Sequence, residues 1–202
     1  MAVNAEVIRD GVLGMGLRGN PETGLLRGFG VILAINTVDY LIEREIAFLK
    51  AFPTAEPMAE KALVDAAQWC ANATFGGMMK SAEWAGLIAP MVKTKVDSLE
   101  ALHAVQNVLG WGKIVGYEID EAAKTYTLRV KHSYYSKNYI DNHGISTKPR
   151  CYMWQGVAAG NMDLVFGSKV NDFEAVETQC EAKGDDICEF RVRQKRALFD
   201  LL

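Results

Sequence analysis

Apolar residues recur at three- and four-residue spacing until Gly110 and alternate with polar residues after it. Such a change of period, from near 3.6 to 2, restricts the chain to a helical first half and a sheet assembled late. Before Gly110, the positions Ile32, Ile35, Val38, Leu41, Ile42, Ile46 and Leu49 predict one helix from about Gly28 to Phe52, ended by Pro53. Thr54 opens a second helix with Pro57 in its first turn, expected to run to about Ala73 and to break at Gly76-Gly77. Met78 to Ile88 forms a shorter helix, and Ser98 caps another that Gly110 closes. The opening Gly11–Gly16 lacks the preceding strand and the third glycine of a dinucleotide loop, so it reads as irregular chain or a short helix.

After Gly110, Lys113–Ile119 places Val115, Tyr117 and Ile119 on one face of a strand, and Thr125–Lys131 does the same for Tyr126, Leu128 and Val130. Together they form a hairpin. Tyr134 to Lys148 is polar and reads as a loop. Cys151 to Phe166 is apolar almost all round, the mark of a buried helix, and Gly156 and Gly160 would let a neighbour approach its backbone. Phe173–Ala182 and Ile187–Arg193 make a second hairpin through Lys183-Gly184-Asp185-Asp186. No repeat or linker interrupts the chain. The expected fold is one α+β domain over residues 1–202, with N-terminal helices and a C-terminal antiparallel sheet of hairpins around a buried helix.

The balance of 22 Lys+Arg against 25 Asp+Glu gives a net charge of −3, which excludes a broad nucleic-acid-binding face. The longest uncharged stretch, Ala66 to Met79, is too short and too polar to span a membrane. Glu6, Arg9 and Asp10 are followed by no apolar signal core, so the expected location is the cytoplasm, where thiols stay reduced. That leaves metal binding, redox chemistry or plain burial for Cys70, Cys151, Cys180 and Cys188. Cys70 sits in a helical segment and reads as core.

Cys180 and Cys188 flank a tight turn between strands that should pair, which brings two sulfurs to one point. Glu177 lies three residues before Cys180, so a bulge is needed to turn both to one side. Cys151, at the start of the buried helix, can add a third sulfur. Three sulfurs and one carboxylate would complete a closed tetrahedral zinc shell. The alternative is that these cysteines are small buried hydrophobes.

The pattern Glu177–x2–Cys180–x7–Cys188 with Gly184-Asp185 in the turn, the helix Cys151–x4–Gly156–x3–Gly160, and Lys131-His132-Ser133 after the first hairpin resemble the 4-vinyl-reductase domain family over about residues 95–193. The resemblance implies a fold shared with the small subunits of TRAPP tethering complexes and with phenol- and xylene-sensor domains. It implies zinc on Cys151, Glu177, Cys180 and Cys188, and a pocket for a small hydrophobic ligand, aromatic, phenolic or tetrapyrrole-like. His103 falls where the phenol sensors carry a ligand-holding histidine. Val130 stands where they carry a tryptophan, and Trp111, Trp154 or His132 could fill that space. Trp154 would line the pocket from the buried helix.

No nucleophilic triad, phosphate loop, flavin or nicotinamide fingerprint appears in the sequence. The expected role is therefore a zinc-containing binding domain that acts as sensor, carrier or accessory protein. The alternatives are a reductase or enzyme subunit in tetrapyrrole or aromatic metabolism, or a TRAPP-like dimeric scaffold. The sensors' ATPase and DNA-binding parts have no counterpart before Leu202, so action through a protein partner is expected. The apolar stretch Val31–Leu41 is the expected homodimer face.

Overall fold

A computed structural model describes residues 2–195. Helix α1 (Ala5–Gly14) is capped by the Asn4 side chain and leads into a small hairpin, β1 (Leu26–Gly28) and β2 (Val31–Leu33). Helices α2 (Val38–Ala51), α3 (Glu56–Met78), α4 (Ala82–Leu87) and α5 (Lys95–Val108) follow. The second half holds β3 (Lys113–Asp120), β4 (Thr125–Lys131), α6 (Tyr134–His143), α7 (Tyr152–Phe166), β5 (Phe173–Gln179) and β6 (Cys188–Gln194). The four long strands form one antiparallel sheet in the order β3-β4-β6-β5. The α+β expectation is met, with the sheet at the C-terminal end.

Several boundaries differ from the sequence reading, each for a local reason. Residues 28–37 are not the start of a helix. Phe29 (φ 51°) and Gly30 (φ 71°) are both left-handed and close a two-residue hairpin turn, so Ile32 belongs to β2 and the helix begins at Val38 behind Thr37. Helix α3 starts at Glu56, with Ala55 at its cap, and runs through Gly76-Gly77. A methyl group on Gly77 would meet Val31 at 2.8 Å, so the glycine there makes room for β2 rather than ending the helix. Met78 thus belongs to α3, and α4 begins behind Ser81. Helix α5 is capped by Thr94, not Ser98, through a reciprocal capping box with Asp97.

In β3 a register shift between Ile114 and Gly116 turns Val115 outward, leaving Ile114, Tyr117 and Ile119 half-buried against the core. Residues 134–143, expected in a loop, form α6; its polar side faces α2, where Asn138 and Asn142 donate to Asp39 and His143 pairs with Glu43.

Helix α7 lies between the sheet and α3. Trp154, Ala158 and Met162 pack with Leu128, Phe190 and Val192 of the sheet. On the other side, a methyl group on Gly156 would sit 2.4 Å from the Val64 carbonyl oxygen, and one on Gly160 would sit 2.7 Å from Ala71 Cβ. These two glycines set the close contact of α3 and α7. Buried Asp163 locks the arrangement by accepting from Gln68 and Asn72 of α3 and from the Asn171 and Phe173 amides. With α7 fixed this way, its N-terminus stands over the β5–β6 turn.

Candidate metal centre

Cys151 is the residue just before α7, Cys180 follows β5, and Cys188 opens β6. Strand β5 shifts register between Glu177 and Gln179, the bulge that the three-residue spacing of Glu177 and Cys180 requires. All three cysteines are fully buried and Glu177 nearly so. One ligand atom from each of the four residues lies within 4.8 Å of every other. Cys151 Sγ is 3.9 Å from Cys180 Sγ and 3.7 Å from Cys188 Sγ. A disulfide would need about 2.05 Å. Sulfurs about 2.3 Å from a tetrahedral zinc stand about 3.8 Å apart.

The carboxylate of Glu177 accepts from the Cys151 amide through Oε2 at 2.9 Å, while its buried Oε1 has no partner. Burial, and then the neighbouring Cys180 charge, pushes the Glu177 carboxyl well above the usual carboxylate range. Burial does the same to the Cys151 thiol. Cys180 is driven the other way, because the Cys151 and Cys188 thiols hydrogen-bond to its thiolate. Cys188 gains from its bond with Cys151, but its bond to Cys180 and burial leave its thiol raised. One thiolate and several groups that resist ionisation are what a buried ligand set shows when no cation neutralises it. A soft divalent cation with oxygen tolerance fits this donor set.

Around the four lie residues the sequence reading did not single out. Asp185 Oδ2 accepts from the Cys180 amide at 2.8 Å, and Gly184 (φ 93°) takes the left-handed turn position. The Glu181 carboxylate accepts from the His132 and Ser133 amides at 2.9 and 3.0 Å and ties the turn to the exit of β4. Buried Ser136, on α6, reaches all three sulfurs: 3.1 Å to Cys151, 3.4 Å to Cys188 and 3.9 Å to Cys180. Reading residues 134–148 as a loop hid Ser136. Its three-residue spacing from Ser133 was the available signal.

The residues expected around a ligand separate into two groups. His103 is buried, and its Nε2 lies 2.6 Å from the Tyr126 hydroxyl; Tyr117 stacks edge-on at 5.0 Å and donates to Glu100. Burial lowers the His103 pKa to about 3, so the ring is neutral. Trp111 and Trp154 meet edge to face at 5.9 Å, and Trp154 Nε1 donates to the Trp111 carbonyl. His132 is exposed with a left-handed backbone (φ 55°) and stands apart from both groups. A groove of about 410 Å³ runs between α3 and β5, where Val64, Tyr152, Gln155 and Val176 line it and Glu177 reaches its floor; none of the four ligand candidates borders it.

A helix-backed antiparallel sheet with three sulfurs and a carboxylate converging under its buried helix defines a class of α+β domain. Residues 132–194 match the family model of the 4-vinyl-reductase domain, and the chain carries such a domain there. All four cluster residues lie within the match. An uncharacterized protein of Methanocaldococcus jannaschii is 28% identical over 109 residues, 54% of this chain and 60% of that protein, so the chain spans less than two thirds of that relative's length.

The fold is similar to the phenol-responsive sensory domain of the transcription activator PoxR, solved with phenol. That likeness has a TM-score of 0.67, 16% identity, and covers 93% of this chain and 90% of that one. It is also similar to a trafficking protein particle complex subunit 3 from Naegleria fowleri, covalently bound to palmitic acid, with a TM-score of 0.52 and 16% identity over 80% of this chain and 96% of that one. Among the described residues no helix is long and apolar enough to cross a membrane.

Proposed function

We propose that this chain is a zinc-pinned binding domain for a small hydrophobic molecule, acting as a sensor, carrier or accessory protein. The observation that supports it most is the spacing of the three sulfurs, 3.7 and 3.9 Å from Cys151, next to an unpartnered buried oxygen of Glu177. Cys151, Glu177, Cys180 and Cys188 would hold the metal. Bound there, zinc supplies a closed, redox-inert crosslink between the start of α7 and the β5–β6 turn. The Cys151 amide holds Glu177 in place, Asp185 and Gly184 shape the turn, and Glu181 fastens it to β4.

The ligand anchor in this reading is His103, a neutral imidazole set among Tyr126, Tyr117 and, on the same core, Trp111 and Trp154. A ligand hydroxyl would compete with the Tyr126 hydroxyl for Nε2. The fold shared with a phenol-responsive sensory domain supports an aromatic or phenolic ligand ahead of a tetrapyrrole. Ile32, Ile35 and Tyr40 stay exposed along 31–41, which supports a homodimer through that stretch.

Metal analysis of protein purified without chelator or metal-affinity resin tests the reading, on wild type and Cys180→Ser. About one zinc per chain in wild type, lost in the variant together with thermal stability, is the expected outcome. A metal-free wild type that melts cooperatively overturns it. Thermal-shift screening of phenols, alkylbenzenes and tetrapyrroles then ranks the ligand classes.

A further inference from the structure

Four ligands of this kind carry four negative charges when a metal is bound, against two positive charges on a zinc ion. The excess has to be met inside a fully buried site. Among the described residues no ion pair involves Glu177, and the polar groups that reach the ligands are neutral donors. The Cys151 amide donates to Glu177, and the Glu181 amide approaches Cys188 Sγ at 3.4 Å. The remaining donors come from the first turn of α6. Ser133 occupies the N-cap position yet its hydroxyl makes no cap; it lies 3.7 Å from Cys151 Sγ. Ser136, one turn on, is closer to two sulfurs at once.

The geometry points to Ser136 as the residue that positions and tunes the metal-bound thiolates, by donating its one hydroxyl proton to Cys151 and Cys188. Once the cysteines are metal-bound thiolates they can only accept, so the serine hydroxyl must donate. Its location is preset, because α6 is held from the far side: Asn138 and Asn142 donate to Asp39 of α2, and His143 pairs with Glu43. The positive end of α6 adds to the same field. Helix α6 thereby links the metal site to α2. This inference rests on the zinc reading and extends it to a residue outside the ligand set.

The test loads wild type, Ser136→Ala and Ser133→Ala with cobalt(II) as a spectroscopic probe and measures zinc affinity by competition with a chromophoric chelator. Ser136→Ala is expected to shift the thiolate-to-cobalt absorption band to lower energy and to weaken zinc binding about tenfold, the lower end of the range for removing such outer contacts. Ser133→Ala, at the longer distance, is expected to do less, and Ser136→Thr, which keeps the hydroxyl, to restore the band. A Ser136→Ala protein with wild-type band and affinity overturns the role of Ser136 while leaving the zinc site standing. A merely structural serine would lower the melting temperature without moving the band, which also counts against it. Wild type that takes up neither metal overturns the zinc reading and this inference together.

Discussion

Two buried polar clusters sit in this molecule, and they are finished in opposite ways. In the His103 cluster the polar contacts are made within the chain: the imidazole meets the Tyr126 hydroxyl, and Tyr117 donates to Glu100. In the Cys151–Glu177–Cys180–Cys188 cluster the chain brings three sulfurs and a carboxylate together and leaves a Glu177 oxygen without a partner. Buried polar groups are normally satisfied, because an unmade bond costs more than a made one returns. A cluster closed by its own side chains can serve as core. A cluster whose members repel one another when ionised needs something added. The difference marks the cysteine site as the stronger candidate for a resident ion, and the His103 site as one where any ligand must first displace a tyrosine.

The sharpest way to break this comparison is to remove the metal. Dialysis against a strong chelator at neutral pH should lower the melting temperature by about 10 °C or more, because the crosslink between α7 and the β5–β6 turn is lost. Calorimetry before and after restoring zinc checks it, and an unchanged melt would make both clusters equally self-sufficient.

Next in size is Tyr126→Ala. Tyr126 is fully buried, so its truncation should cost about 3–5 kcal/mol in denaturant titrations. It also opens a space shaped like a phenol beside a ring nitrogen that has lost its partner. Added phenol should recover part of that stability and benzene less; equal recovery by both would show that His103 contributes no polar recognition.

The smallest expected effect is on pH dependence. His103 is held to a pKa of about 3, against about 6.5 in an unfolded chain. Between those values the unfolded state binds more protons, so stability is full above about pH 6.5 and falls as pH drops. At pH 5 the loss should be roughly 2 kcal/mol from this one group. Unfolding curves between pH 5 and 7, with metal content followed in parallel, should show a flatter slope in His103→Gln than in wild type. Identical slopes would place the acid sensitivity in the cysteine cluster instead.

The chain's own pattern already contained the order of helices and strands, the two hairpins of the sheet, the buried helix with Gly156 and Gly160, and the bulge that Glu177 and Cys180 demand. These are local or periodic properties: alternation reports a half-buried strand, and a helix apolar all round reports burial, whatever lies next to it. The metal ligands were legible for the same reason, since a tight turn fixes Cys180 opposite Cys188. The remainder depended on neighbours far along the chain. Gly76-Gly77 stays helical because α7 and β2 need the space above it, and residues 134–143 become α6 because α2 supplies partners for its polar side. Spacing on α5 put His103 at the edge of an apolar face. Only the packed sheet decided that Tyr126 would meet it, and that Ser136 would arrive beneath three sulfurs from another helix. Sequence sets which groups can be buried; the tertiary contacts choose which buried groups find one another.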